Sequence, residues 1–212
     1  MVKLQLALDF GSREEIKSLA SDLRDIIDII EIGTPLIIKE GLSLVSMIKN
    51  SFPTVKLLAD LKIMDAGDYE AGMAFEAGAD IITVLGATNN QTISAAIKES
   101  KRRGKQVMVD MIAVSDIPSR VTQINQLGPD YICIHTATDV QKEGQNPLDE
   151  LQQVSQIVTS DKIAVAGGID CQILRLIRPF QPEIAIVGSA ITKNPNPRRA
   201  AFQLKQILAE DK

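Results

Sequence analysis

Short apolar runs alternate with longer amphipathic segments along the whole chain. Eight runs rich in Val, Ile and Leu occupy residues 3–9, 27–33, 55–62, 80–86, 105–112, 130–136, 162–168 and 183–189. They are almost continuously apolar, which is typical of parallel strands that are buried on both faces. Stretches with helical periodicity lie between them, for example 12–25, 40–52, 90–104 and 147–158. The pattern predicts eight strands that alternate with helices.

The order of these elements predicts the fold. Strands that recur about every 20 to 30 residues with a helix between them pair in parallel through right-handed crossovers. Eight such units in 212 residues predict a compact (β/α)8 TIM barrel, an α/β fold in which residues 1–212 form a single domain. A doubly wound open sheet is the alternative, but it would normally have fewer strands and one switch point.

Polar, ionisable or glycine residues lie at or near the carboxyl ends of seven of the eight apolar runs. These residues are Asp9, Glu31, Asp60 with Lys62, Asp110, His135, Gly167 with Gly168, and Gly188 with Ser189. The carboxyl ends of all eight strands of such a barrel meet at one face, where the catalytic loops lie. The sequence therefore predicts an active site on that face.

Composition excludes several classes of partner. A net charge of −4 and the absence of Trp argue against nucleic acid. No stretch approaches 18 consecutive apolar residues, and the N-terminus does not resemble a signal peptide, so we expect no membrane segment. Cys133 and Cys171 are expected to be reduced thiols in a cytoplasmic protein.

Two carboxylates and a lysine dominate the predicted site. Asp60 and Lys62 lie two residues apart and so share one face of a strand, where burial is costly unless the charges are paired or used. Glu31 and Asp60, at the ends of neighbouring strands, suit Mg²⁺, with Mn²⁺ as a substitute. The alternatives are a metal-free carboxylate pair that shares Lys62, and a salt bridge followed by a helix N-cap at Asp65.

The other candidates complete this face. His135 is the only histidine, and its position at a strand end favours a general base or acid. Asp9 is a further partner for Lys62, or else a cap for the first helix near Ser12. Asp110 would orient His135 or a water. The glycines after the last two strands allow backbone N–H groups to approach a phosphate.

These motifs together resemble a known family. LALD, EIGTP, LADLKIMDAG, ADIITVLG, VDMI, DYICIHT, AVAGGI and IVGSAI are similar to segments of the 3-hexulose-6-phosphate synthases, members of the orotidine 5′-phosphate decarboxylase suprafamily. The resemblance extends from about residue 3 to residue 193. It implies a barrel that works as a homodimer with active sites at the subunit interface.

The resemblance assigns a role to each position. It implies Glu31 and Asp60 as Mg²⁺ ligands, Asp9 and Lys62 as a polar pair at the sugar, and Asp65 as the aspartate that enters the partner subunit's site. His135 matches the proton-transfer histidine. Residues on the two phosphate-binding loops correspond to Gly167, Gly168, Gly188 and Ser189.

The implied reaction is a Mg²⁺-dependent aldol addition of formaldehyde to D-ribulose 5-phosphate through a 1,2-enediolate. The related 3-keto-L-gulonate-6-phosphate decarboxylases are the alternative, but they typically have Glu, Arg, Thr and Arg where this chain has Asp110, Thr138, Ala166 and Ser189. A sugar-phosphate 3-epimerase would need several metal-binding histidines. A non-catalytic sugar-phosphate sensor would not explain the full set of metal, lysine and histidine positions.

Overall fold

A computed structural model of the chain, which describes residues 1–141 and 147–210, is a closed barrel of eight parallel strands. The strands are β1 (Lys3–Leu8), β2 (Ile29–Ile32), β3 (Lys56–Ile63), β4 (Ile81–Leu85), β5 (Gln106–Asp110), β6 (Tyr131–His135), β7 (Ile163–Ala166) and β8 (Ile184–Val187). They pair in chain order, and β8 pairs with β1 to close the ring. The predicted (β/α)8 barrel is confirmed, and the open sheet is excluded.

Helices surround the barrel. Within the described residues they are α1 (Arg13–Leu23), α2 (Thr34–Glu40), α3 (Ser43–Ser51), α4 (Gly67–Glu76), α5 (Asn90–Arg103), α6 (Ile117–Leu127), α7 (Thr138–Gln141), α8 (Leu148–Val154), α9 (Cys171–Ile177), α10 (Ser189–Thr192) and α11 (Pro197–Ala209). Short 3₁₀ turns precede β7 and β8, at Ser160–Lys162 and Arg178–Phe180. In this part of the chain no helix has the length and apolar character needed to cross a membrane.

The apolar residues form two cores because each strand is buried on both faces. The larger core lies between the outside of the barrel and the helices. The smaller core fills the barrel interior with Ile29, Leu58, Ile81, Met108, Tyr131, Cys133, Ala164, Ala166, Ile184 and Ile186. Continuous apolar strands are the sequence signature of this double burial. The interior core supports the polar side chains at the carboxyl ends of the strands.

Helix α4 packs against α5 at very short range through Gly67. A Cβ at Gly67 would lie 2.2 Å from the Thr92 carbonyl oxygen, a backbone atom that cannot move away alone. We expect Gly67→Ala to lower the free energy of unfolding by about 1–3 kcal/mol, the usual cost of overpacking. Urea denaturation would measure the change.

Gly72 in the same helix provides the matched control. The nearest atom to a Cβ there is Glu99 Oε1 at 3.4 Å, the end of a flexible side chain. Gly72→Ala should therefore increase the free energy of unfolding by up to about 1 kcal/mol, the difference in helix propensity between alanine and glycine. Equal destabilisation by the two substitutions would show that close helix contact is not the reason for glycine at position 67.

Candidate active site

Lys62 lies at the centre of a hydrogen-bonded group of side chains at the carboxyl ends of the strands. Its Nζ donates to Asp60 Oδ2 at 2.8 Å and to Asp110 Oδ2 at 2.9 Å. Burial alone would lower the pKa of Lys62, but the two carboxylates outweigh burial and raise it. The lysine is therefore a permanent cation at neutral pH, which argues against a Schiff base.

The backbone is irregular where β3 presents Lys62. Lys62 has φ of 49°, in the left-handed region, and the pairing of β3 with β4 shifts register between Ala59 and Ile63. A non-glycine residue in this conformation costs on the order of 1–3 kcal/mol. Such irregularities re-aim side chains and are common next to active sites.

Asp60 is held by two threonines as well as by Lys62. Thr34 Oγ1 donates to Asp60 Oδ2 at 2.8 Å, and Thr83 Oγ1 donates to Asp60 Oδ1 at 2.7 Å. Sequence reasoning missed both threonines. A signal was available for Thr83. It lies two residues after Ile81 on β4, so both side chains point to the same face of the strand, and Ile81 faces the barrel interior. Asp60 is thus a fixed carboxylate that is only 6% exposed.

Asp110 connects Lys62 to His135. Asp110 Oδ2, which accepts from Lys62, also lies 2.8 Å from His135 Nδ1, and Oδ1 accepts from the Ile112 N–H at 2.9 Å. Burial raises the pKa of Asp110, but the hydrogen bond with His135 and the charges of His135 and Lys62 bring it to about 2. An ionised Asp110 requires a proton on Nδ1, so a neutral His135 has its free lone pair on Nε2. The direct contact with His135 is the geometry that the predicted orienting role of Asp110 requires.

Glu31 lies on β2, next to β3, and is 8% exposed. Burial raises the pKa of Glu31 well above its usual range, and the charge of Asp60 raises it further. Gln5, fully buried on β1, donates from Nε2 to Glu31 Oε2 at 2.6 Å. Within the described residues, Gln5 Oε1 is buried without a hydrogen-bond partner. The sequence analysis did not identify Gln5, although Gln5 and Asp9 are four residues apart and would therefore point to the same face of an extended strand.

Asp9 does not form the predicted ion pair with Lys62 or the alternative helix cap. Lys62 instead bonds to Asp60 and Asp110, and Ser12 caps α1 through a capping box with Glu15. Burial raises the pKa of Asp9, the nearby Asp60 adds to the increase, and Lys62 opposes it at longer range. Asp9 lies close against Gly33, where a Cβ would come within 2.0 Å of Asp9 Oδ1. Glycine at position 33 therefore makes room for the Asp9 carboxylate.

Asp65 lies apart from this group. It is exposed, and its Oδ1 accepts from the adjacent Ala66 N–H at 2.7 Å. The alternative N-cap at Asp65 is wrong, because the N-cap of α4 is Ala66 in a left-handed conformation. The Asp65 carboxylate is therefore exposed to solvent and does not belong to the group of side chains around Lys62.

The two glycine-containing loops lie at the same end of the barrel. Gly167 and Gly168 have φ of 96° and 67°, and a Cβ on Gly167 would lie 2.2 Å from the Thr136 carbonyl oxygen. Gly188 caps α10 with φ of −106°, a value open to other residues, and Ser189 begins that helix. Glycine is therefore required at position 167 by both the close contact and the positive φ. At position 188 the value of φ does not require glycine.

The carboxylates of Glu31 and Asp60 fit a hard divalent cation. They provide oxygen donors on adjacent strands, and their like charges are close enough to raise the pKa of Glu31. Across residues 1–141 and 147–210, no cluster of three or more His, Cys, Asp or Glu side chains is arranged to hold a metal. Mg²⁺ commonly takes only one or two protein carboxylates and completes its shell with water and substrate oxygens.

Comparison with known proteins identifies the family of the chain. The family model described as Orotidine 5'-phosphate decarboxylase / HUMPS family matches residues 2–204. The chain is 47% identical over 209 residues to 3-hexulose-6-phosphate synthase of Bacillus subtilis, covering 99% of this chain and 100% of that protein. The crystal structure of 3-hexulose-6-phosphate synthase from Salmonella typhimurium has a TM-score of 0.95 at 43% identity, covering 98% of this chain and 99% of that one.

A more distant structure shares the fold. The 3-keto-L-gulonate-6-phosphate decarboxylase from Vibrio cholerae has a TM-score of 0.87 at 26% identity, covering 98% of this chain and 97% of that one. The sequence of the chain is thus more similar to these two synthases than to this decarboxylase. The chain is therefore an enzyme that belongs to the orotidine 5′-phosphate decarboxylase / HUMPS family.

Proposed function

We propose that this enzyme is a 3-hexulose-6-phosphate synthase, a lyase of the aldehyde-lyase type. It would add formaldehyde to D-ribulose 5-phosphate and give D-arabino-hex-3-ulose 6-phosphate. The observation that supports this most strongly is the continuous hydrogen-bonded series from Asp60 through Lys62 and Asp110 to His135. It places a cation and an oriented imidazole side by side, as an enolising aldolase requires.

His135 is the proton-transfer group in this proposal. With Nδ1 hydrogen-bonded to Asp110, Nε2 removes a proton from C1 of ribulose 5-phosphate, and the electron pair of that C–H bond forms the 1,2-enediolate. C1 of the enediolate then bonds to the formaldehyde carbon, whose C=O electrons move to oxygen. That oxygen takes the proton back from His135, so the base is regenerated.

Lys62 stabilises the charge that develops on the enediolate oxygens. Its ammonium group is positioned by Asp60 and Asp110 before substrate arrives, so little reorganisation is needed. Glu31 and Asp60 would hold Mg²⁺, which when bound polarises the substrate carbonyl. Asp9 is proposed to bind a sugar hydroxyl, since its carboxylate lies in the site but outside the Lys62 ion pairs.

The loops after β7 and β8 are proposed to bind the phosphate. Gly167 and Gly168 adopt left-handed conformations that allow a close backbone approach, and Gly188 and Ser189 begin a short helix. Both loops lie at the end of the barrel that holds His135. Lys62 lies at that end too, but β7 and β8 lie across the ring from β3, so the phosphate would be bound away from Lys62, at the opposite end of the five-carbon substrate.

We further propose that the enzyme is a homodimer in which Asp65 enters the partner's site. Asp65 is exposed, and the exposed apolar side chains of Met64, Tyr69 and Met73 lie near it in sequence. Exposed apolar side chains close in sequence to an exposed carboxylate suit a subunit contact. The cytoplasmic location is likewise a proposal, supported by the free thiols of Cys133 and Cys171.

The decisive experiment compares two reactions of the purified enzyme. We expect loss of formaldehyde in the presence of ribulose 5-phosphate and Mg²⁺, abolition of that loss by a chelator, and recovery on adding Mg²⁺ or Mn²⁺. CO₂ release from 3-keto-L-gulonate 6-phosphate should be much slower. Faster CO₂ release than formaldehyde loss would instead identify a decarboxylase, and chelator-resistant turnover would exclude the metal role.

A further inference from the structure

The hydroxyl of Thr83 joins two parts of the site that the chain separates. Thr83 lies on β4 and is 3% exposed. Its Oγ1 accepts the backbone N–H of Lys62 at 2.9 Å and donates to Asp60 Oδ1 at 2.7 Å. A hydroxyl has one donor hydrogen and acceptor lone pairs, so Thr83 performs both functions at once.

Regular pairing between β3 and β4 does not provide this link. The register pairs Ala59 with Ile82 and then resumes with Ile63 and Val84, so the residues between them fall in the irregular part of the strand. Lys62 is in this interval and has φ of 49°. Its amide N–H therefore depends on a side-chain acceptor, and Thr83 supplies it.

We infer that Thr83 is a positioning residue that holds the left-handed backbone of Lys62 and the Asp60 carboxylate in a fixed relation. This inference rests on the proposed function, because it assigns Asp60 to the metal and Lys62 to the enediolate. Thr34 contacts Asp60 from the other side but does not contact the Lys62 amide. Of the two threonine hydroxyls that contact Asp60 within the described residues, the Thr83 hydroxyl is thus the one that couples the proposed metal ligand to Lys62.

The test uses Thr83→Val, which keeps the shape but removes the hydroxyl, and Thr83→Ser, which keeps the hydroxyl. For Thr83→Val we expect faster hydrogen exchange at the Lys62 amide and an affinity for Mg²⁺ lowered by about 10- to 100-fold, measured calorimetrically without substrate. At saturating Mg²⁺ we also expect a lower kcat, because Lys62 is no longer fixed. Thr83→Ser should restore all three quantities.

Ser100→Ala is the matched control. Ser100 is 1% exposed on α5, and its hydroxyl donates only to the Ile97 carbonyl oxygen. Its removal should leave Mg²⁺ affinity, kcat and Lys62 exchange unchanged. A general effect of deleting a buried hydroxyl would therefore be visible in both variants.

Three results would overturn the inference. One is a Thr83→Val protein with unchanged Lys62 exchange and Mg²⁺ affinity, and another is a Thr83→Ser protein as impaired as Thr83→Val. The third is rapid exchange of the Lys62 amide in the unmodified protein, which can be measured even if Thr83→Val does not fold. Amide exchange and metal titration require no substrate, so failure here is distinguishable from a wrong substrate assignment.

Discussion

Replacement of His135 with asparagine should reduce kcat for formaldehyde addition by about 10²- to 10⁴-fold, the usual contribution of a general base. The asparagine amide can still donate to Asp110, but it has no basic nitrogen at the position of Nε2. The isolated proton-transfer step provides a direct measurement. Ribulose 5-phosphate in D₂O, without formaldehyde, should exchange its C1 hydrogen with the unmodified enzyme and not with His135→Asn.

Tyr131→Phe on the same strand is a suitable control for this variant. Tyr131 begins β6 at the opposite end of the barrel, where its hydroxyl accepts from Gln106 Nε2 at 3.2 Å. Its loss should alter neither exchange nor turnover. If His135→Asn continued to exchange C1 hydrogen at the rate of the unmodified enzyme, the base would have to be another group.

Substitution of Lys62 with methionine should affect both stability and catalysis. The buried carboxylates of Asp60 and Asp110 would lose their shared cation, a change that costs about 3–5 kcal/mol when one partner of a buried pair is removed. Loss of a preorganised charge at the enediolate should also lower kcat by about 10²- to 10³-fold. Urea denaturation and steady-state kinetics would measure the two effects separately.

Lys49→Met separates these two consequences. The side chains of Lys49 and Lys62 are equally exposed, at 23%, and each forms an ion pair. Lys49, however, pairs with Asp80 near the amino ends of the strands, and Asp80 keeps Lys105 as a second partner. Lys49→Met should lose some stability but keep full turnover. Equal loss of activity in both variants would show that Lys62 acts only through folding.

The barrel could be predicted from sequence because double burial makes each strand a continuous apolar run. Helix α4 was expected from the alternation of strands and helices, but its own residues show little helical periodicity. It contains Gly67 and Gly72 and packs on α5 through close backbone contact, so it lacks a broad apolar stripe. Hydrophobic periodicity detects helices that bury large side chains, and a helix that approaches its neighbour through glycine gives little signal.

The position of the site could also be predicted, because it follows from the strands and their order in the barrel. Alternation along a strand placed Asp60 beside Lys62, and barrel topology brought Asp110 and His135 to the same face. The left-handed conformation of Lys62 depends on register between two strands, which the sequence of β3 alone does not encode. The position of the Asp9 side chain likewise could not be predicted, because it depends on a tertiary contact, the close approach of Asp9 to Gly33.

Gln5 Oε1 has no hydrogen-bond partner in the part of the chain that the structure describes, and this has a consequence for protein engineering. A buried acceptor without a partner costs about 1–3 kcal/mol, so position 5 is an obvious target for any redesign that selects for heat resistance. A leucine there would remove the unpaired oxygen and also the amide that donates to Glu31. That loss would leave a buried Glu31 oxygen without this donor, so it would offset the gain in stability and also weaken the proposed cation site, and libraries built on this barrel need to keep position 5 constant.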